Sequence, residues 1–107
     1  MKRYGQVLKL KPGALDEYAR LHAAVWPEVL AKIAECNMRN YSIFHKDGYL
    51  FAYFEYVGDD FEADMRRMAA DPATQRWWSV CEPLQEPLPT RAQGEWWATM
   101  DELFHVD

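Results

Sequence analysis

The sequence predicts an α+β domain in which an antiparallel sheet carries helices on one face. Three observations lead there. Period-two alternation marks three strand-like stretches, and helical spacing fills the gaps around them. Turn signals fall between the stretches, with Lys11-Pro12-Gly13 after the first and Asp47-Gly48 between the second and third. Read along the chain, with a short terminal strand, the order is β-α-β-β-α-β, and the second crossover is made of two helices. That is the split βαβ, ferredoxin-like arrangement. With 107 residues the chain makes one domain, residues 1–107, large enough to bury a core without disulfides.

Each element has its own signal. Tyr4, Gln6, Leu8 and Leu10 share one face of the first strand, opposite Gly5, Val7 and Lys9. From Ala14 to about Cys36, Leu15, Tyr18, His22, Val25, Val29 and Ile33 form an apolar stripe at helical spacing. Pro27 lacks the N–H that would bond the Ala23 carbonyl, so the helix kinks or restarts there. Asn37 is a suitable stop. Met38 to Lys46 reads as a second strand with Tyr41, Ile43 and His45 on one side. Tyr49 to Val57 is the third, rich in Tyr and Phe. Asp60 can cap a helix from Phe61 to Ala70. Asp71 and Pro72 suit the cap and first position of another, carrying Gln75-Arg76-Trp77-Trp78 and ending before Pro83. Leu84 to Gly94 reads as a loop, and Leu103 to Val106 as a short terminal strand.

The third strand is apolar on both sides, with Phe51 and Tyr53 against Leu50, Ala52 and Phe54. A small sheet with two apolar faces calls for a second layer. We expect a homodimer packed sheet against sheet.

The bulk numbers narrow the function. The formal net charge is −5, and no Lys/Arg cluster stands against it, which argues against nucleic acid as partner. No apolar run is long enough for a membrane span and no signal-peptide core follows Met1, so a cytoplasmic protein is expected. Cys36 and Cys81 lack metal spacing and read as free thiols; no metal and no cofactor is expected. Aromatic residues reach 15%, including the pairs Trp77-Trp78 and Trp96-Trp97. Rings are good core filler, yet flat apolar faces are also what sugars and nucleobases stack on.

The stretch from Tyr18 to Glu28 carries the chemistry. Tyr18 and His22 lie four apart, one helical turn from each other, with Val25 and Trp26 continuing the stripe. Imidazole moves protons readily near neutral pH. The alternative is a core histidine satisfied by a backbone carbonyl, and the residue pattern leaves both open.

The set Tyr18-x-x-x-His22, Val25-Trp26-Pro27-Glu28, Asn40-Tyr41-Ser42-Ile43, Gln75-Arg76-Trp77-Trp78 and Glu102-Leu103-Phe104 resembles the L-rhamnose mutarotase family nearly end to end. The resemblance implies a dimeric α+β barrel fold and a cofactor-free aldose 1-epimerase that interconverts α and β anomers of a deoxyhexose, most directly L-rhamnose. It implies His22 as the proton donor and Tyr18, Tyr41, Trp77 and Trp78 as sugar contacts. The segment from Gln85 to Trp97 departs from the family's usual C-terminal loop, which keeps L-fucose in contention. A monooxygenase of the same barrel group and a non-catalytic binding module are the competing classes. Should His22 prove a packing residue, the acid–base role would pass to Tyr18, Tyr41 or a carboxylate such as Glu28.

Overall fold

A computed structural model describes residues 1–107. Strand β1 spans Lys2–Leu10, followed by helices α1 (Leu15–His22) and α2 (Pro27–Glu35). Strands β2 (Met38–Lys46) and β3 (Tyr49–Tyr56) form a hairpin, and helices α3 (Phe61–Ala70) and α4 (Pro72–Cys81) cross back. A 3-10 turn at Glu82–Leu84 leads into two short strands, β4 (Gln85–Glu86) and β5 (Ala98–Met100). The sheet order is β2-β3-β1-β4, with β5 also paired to β1, and every pairing is antiparallel. This is the ferredoxin-like arrangement the sequence predicts.

Local chemistry sets the boundaries. Asp47 and Gly48 both have positive φ, 53° and 81°, as a two-residue hairpin turn with the sheet's twist requires. Asp60 Oδ1 accepts from the Ala63 amide at 3.1 Å, and Asp71 Oδ2 from the Thr74 amide at 3.0 Å. Each such cap is worth about 1 kcal/mol. Asn37, at φ 66°, turns the chain out of α2 in the left-handed region that asparagine tolerates.

Between α1 and α2 the break is wider than a kink. A residue before proline is pushed out of the helical region, and Trp26 is extended at φ −61°, ψ 137°. Helix α1 therefore stops at His22, and α2 restarts with Pro27 at its first turn. His22 sits at a helix end rather than mid-helix.

Two expectations are corrected. Leu103–Val106 is not a strand: nothing in the chain pairs with it, and Leu103 is 95% exposed. The loop expected over 84–94 also begins with strand β4. The edge position beside β1 is filled instead by β4 and β5 in succession. Lys9 faces Glu86, and an unbroken strand would then bring Leu88 opposite Val7. Ala98 stands there instead. Residues 87–97 are thus an excursion out of one edge strand, and Pro87 and Pro89, which cannot donate to a ladder, lie at its start.

The helices cover the sheet face that carries Leu8, Leu10, Leu50, Ala52 and Phe54, all at most 5% exposed. Tyr18, Val29, Trp77 and Cys81 close the larger core cluster over that face. On the other face, Phe44 pairs with Phe51 and Phe51 with Val7, forming an apolar row with no covering layer. Phe44 is 64% exposed. No helix is long and apolar enough to cross a membrane.

Candidate active site

Between the helices and the sheet lies a cavity of about 430 Å³, within the range of roughly 300–1,000 Å³ for small-molecule sites. Tyr18, His22, Tyr41, Trp77 and Trp78 all line it. Glu28 does not: it is exposed in the first turn of α2, and the carboxylates that reach the cavity are Glu82 and Glu95.

His22 is held from three sides. Its Nδ1 lies 2.9 Å from the Tyr18 carbonyl. A carbonyl can only accept, so Nδ1 carries the proton and a neutral ring keeps its lone pair on Nε2. The Tyr18 ring stacks on it at 4.1 Å between centroids, and Trp77 meets it edge-on at 5.3 Å. Trp26 packs edge-on against Trp77 at 5.2 Å, so the extended residue before Pro27 buttresses the same group. Burial lowers the His22 pKa, and the bond to the Tyr18 carbonyl opposes that shift. The backbone-bonded histidine and the proton-moving histidine, alternatives in the sequence, are compatible: one nitrogen serves the carbonyl and the other stays free.

Tyr41 arrives by an irregularity that the alternating pattern hides. Arg39 faces Glu55 and Ser42 faces Tyr53, so Asn40 and Tyr41 together oppose Phe54. Asn40 takes φ 51° to make this bulge. Met38 is buried against the helices. Without the bulge, strict alternation from Met38 would send Tyr41 to the open face; the extra residue turns Tyr41 and Ile43 into the cavity. The Tyr41 ring meets Phe54 at 5.6 Å. Burial pushes its hydroxyl pKa up to about 12, although the residue as a whole is 36% exposed.

Trp77 and Trp78 diverge, as neighbours on a helix must. Trp77 is 6% exposed and belongs to the core cluster, while Trp78 is 37% exposed at the cavity rim. Cys81, one turn beyond Trp77, also lines the cavity as a free thiol, its pKa raised to about 11 by burial.

Sequence reasoning missed the residues of the edge strand. Gln85 is 6% exposed. Its Nε2 donates to the Tyr18 hydroxyl at 3.1 Å, and its Oε1 accepts from Trp96 Nε1 at 2.8 Å. Glu95 Oε1 accepts from the amides of Ala92 at 3.0 Å and Thr99 at 3.4 Å. The Thr99 side chain foremost, then the Ala92 amide, hold its carboxyl below the usual range. The Trp96-Trp97 pair, noted in the sequence without a role, completes this wall. No His/Cys/Asp/Glu group has metal-binding geometry.

Comparison with known proteins bears on the fold and the family. In fold, the L-rhamnose mutarotase of Formosa agariphila superposes with a TM-score of 0.80 at 22% identity, covering 100% of both chains. The tetracenomycin F2 cyclase of Streptomyces glaucescens superposes at 0.75 with 14% identity, over 100% of this chain and 98% of the cyclase. Two enzymes of unlike chemistry on one scaffold show that the fold alone does not name the reaction. Sequence does more. L-rhamnose mutarotases of Lactiplantibacillus plantarum and Phocaeicola vulgatus are 36% and 34% identical, each over 100% of both chains. The family profile described as L-rhamnose mutarotase matches residues 3–106, and on that match and those relatives the chain belongs to the L-rhamnose mutarotase family.

Proposed function

We propose that this chain interconverts the α and β anomers of L-rhamnose, with His22 as the group that moves the proton. The observation that carries the reading is the His22 ring, pinned through Nδ1 to the Tyr18 carbonyl and left with a free Nε2 in a cavity walled by aromatic faces. Mutarotation must open the pyranose. The anomeric hydroxyl gives its proton to Nε2 as its oxygen becomes the aldehyde oxygen. The bond from the anomeric carbon to the ring oxygen breaks, and the ring oxygen, attached to the same carbon, takes that proton from the imidazolium Nε2. The aldehyde turns, and the reverse transfers close the ring on the other face. The imidazole is base and then acid in opening, and again in closure. Trp78 offers an exposed ring face to the C–H side of the sugar, Trp77 holds the imidazole, and the Tyr18 and Tyr41 hydroxyls face the sugar's polar edge.

The same reading makes the protein a homodimer. The row Phe44, Phe51 and Val7 lies open on the sheet, and Phe104 and Val106 of the C-terminal tail are 76% and 74% exposed. A second copy laid face to face would cover that row and complete a barrel. Two free buried thiols fit action in the reducing cytoplasm.

The test is exchange NMR on the anomeric protons of L-rhamnose, L-fucose and other aldoses, with light scattering on the same sample. Exchange fastest with L-rhamnose supports the reading. Faster exchange with L-fucose would move the substrate, absence of exchange would reduce the site to a binding pocket, and a 12.6 kDa particle would remove the dimer.

A further inference from the structure

We infer that Trp96 and Gln85 are positioning residues that lock the Tyr18 hydroxyl as a hydrogen-bond donor to an oxygen lone pair of the sugar. This rests on the reading that the cavity holds the pyranose. The argument is one of hydrogen-bond polarity. An indole N–H can only donate, so the Gln85 atom 2.8 Å from Trp96 Nε1 must be the amide oxygen. That fixes the amide's orientation, and its nitrogen must face Tyr18, 3.1 Å from the hydroxyl oxygen. Tyr18 therefore accepts from Gln85. Its own proton finds no protein acceptor and is left for the cavity that Tyr18 lines. Burial keeps that hydroxyl protonated, as a donor should be.

The relay bridges distant parts of the chain. Tyr18 lies on α1, Gln85 on β4, and Trp96 in the excursion 87–97 that interrupts the edge strand. Glu95 braces Trp96 by closing the backbone between Ala92 and Thr99 onto its own carboxylate. The excursion thus sets which way a sugar-facing hydroxyl points. A sugar oxygen at that position is read as an acceptor. The relay moves no proton: Tyr18 holds its hydrogen throughout, and transfer stays with His22.

A mutant cycle on L-rhamnose anomer exchange tests it. Wild-type exchange is measured first; its absence overturns the proposed function and takes this inference with it. Given wild-type exchange, Tyr18→Phe and Trp96→Phe are each expected to raise KM by about 5–10-fold with kcat little changed, the loss of one oriented hydrogen bond. Trp96→Phe keeps an aromatic ring and removes the N–H together with part of the indole. The double mutant should be no worse than Tyr18→Phe alone, because the relay acts only through that hydroxyl. A double mutant measurably worse than Tyr18→Phe, or Trp96→Phe with wild-type KM, overturns the positioning role while leaving the function intact. If Trp96→Phe does not fold, Gln85→Met replaces it in the same cycle with the same two outcomes.

Discussion

The two tryptophan pairs of this chain look alike in sequence and do different work. Trp77-Trp78 lies on α4, where successive side chains point about 100° apart. One ring is driven into the core and the other left at the rim, 6% against 37% exposed. Trp96-Trp97 lies in irregular chain ahead of β5, and there Trp96 is held by its indole N–H on Gln85. In the helical pair Trp77 packs edge-on against His22 and Trp78 stays at the cavity rim, whereas Trp96 acts through a donor hydrogen. The same dipeptide is read by its backbone.

The largest expected effect breaks the helical pair. Trp77→Ala should cost about 3–5 kcal/mol of stability, as for a buried aromatic whose cavity cannot collapse. Trp96→Ala should cost about 1–2 kcal/mol, since 40% of Trp96 already meets solvent. Urea unfolding midpoints compare the two directly. Equal losses would mean that the excursion is as much core as α4.

Next comes the group that Trp77 holds. His22→Ala should slow enzyme-driven anomer exchange by about 10²-fold or more, the scale of general acid–base catalysis. Circular dichroism of the variant must match wild type for the result to count. Exchange at the wild-type rate would make His22 a packing residue and leave Tyr18, Tyr41, Glu82 or Glu95 as candidates, since these reach the cavity and Glu28 does not.

Trp78→Ala should act on the sugar alone. Losing one ring face at the rim should raise KM by roughly 3–10-fold, the worth of an aromatic contact, with little change in the unfolding midpoint. An unchanged KM would shift the stacking surface to Trp96 and Trp97, and the two pairs would exchange roles.

How legible this was follows from the kind of signal each region carries. Helices α1 to α4 and the β2–β3 hairpin announce themselves locally, through periodicity, the caps Asp60 and Asp71, and the Asp47-Gly48 turn. His22, Tyr18 and Trp77 come with them, because residues one turn apart on a helix share a face. The bulge at Asn40–Tyr41 is quieter, a one-residue slip inside an otherwise regular strand. The edge strand is silent. β4 and β5 are too short for alternation, and their partner, β1, is remote in sequence. Gln85 meets Tyr18 across 67 positions, so no local pattern could have singled it out. Leu103–Val106 misleads for the opposite reason: it has a strand's apolar residues and no strand within the chain beside it.

The smallest effect concerns pH and tests whether the helical pair really dries His22. Burial lowers the His22 pKa in the folded protein, so the folded state resists a proton that the unfolded chain accepts near pH 6.5. Above about pH 6.5 the ring is neutral in both states and contributes nothing to pH dependence. As pH falls below that value the unfolded chain binds more protons than the folded one, so stability declines until the folded pKa is passed, and is flat beyond it. Activity that needs a neutral Nε2 should hold down to about pH 6.5 and fall only below it. Subtracting the stability profile of His22→Gln from that of wild type isolates the histidine from Glu82, Glu95 and the other carboxylates. The difference, wild type minus variant, should decline on the acid side of about pH 6.5 and stay constant above it. A trend of the opposite sign would mean a raised pKa. The α1 C-terminus, whose partial negative charge favours imidazolium, would then outweigh the drying by Tyr18 and Trp77.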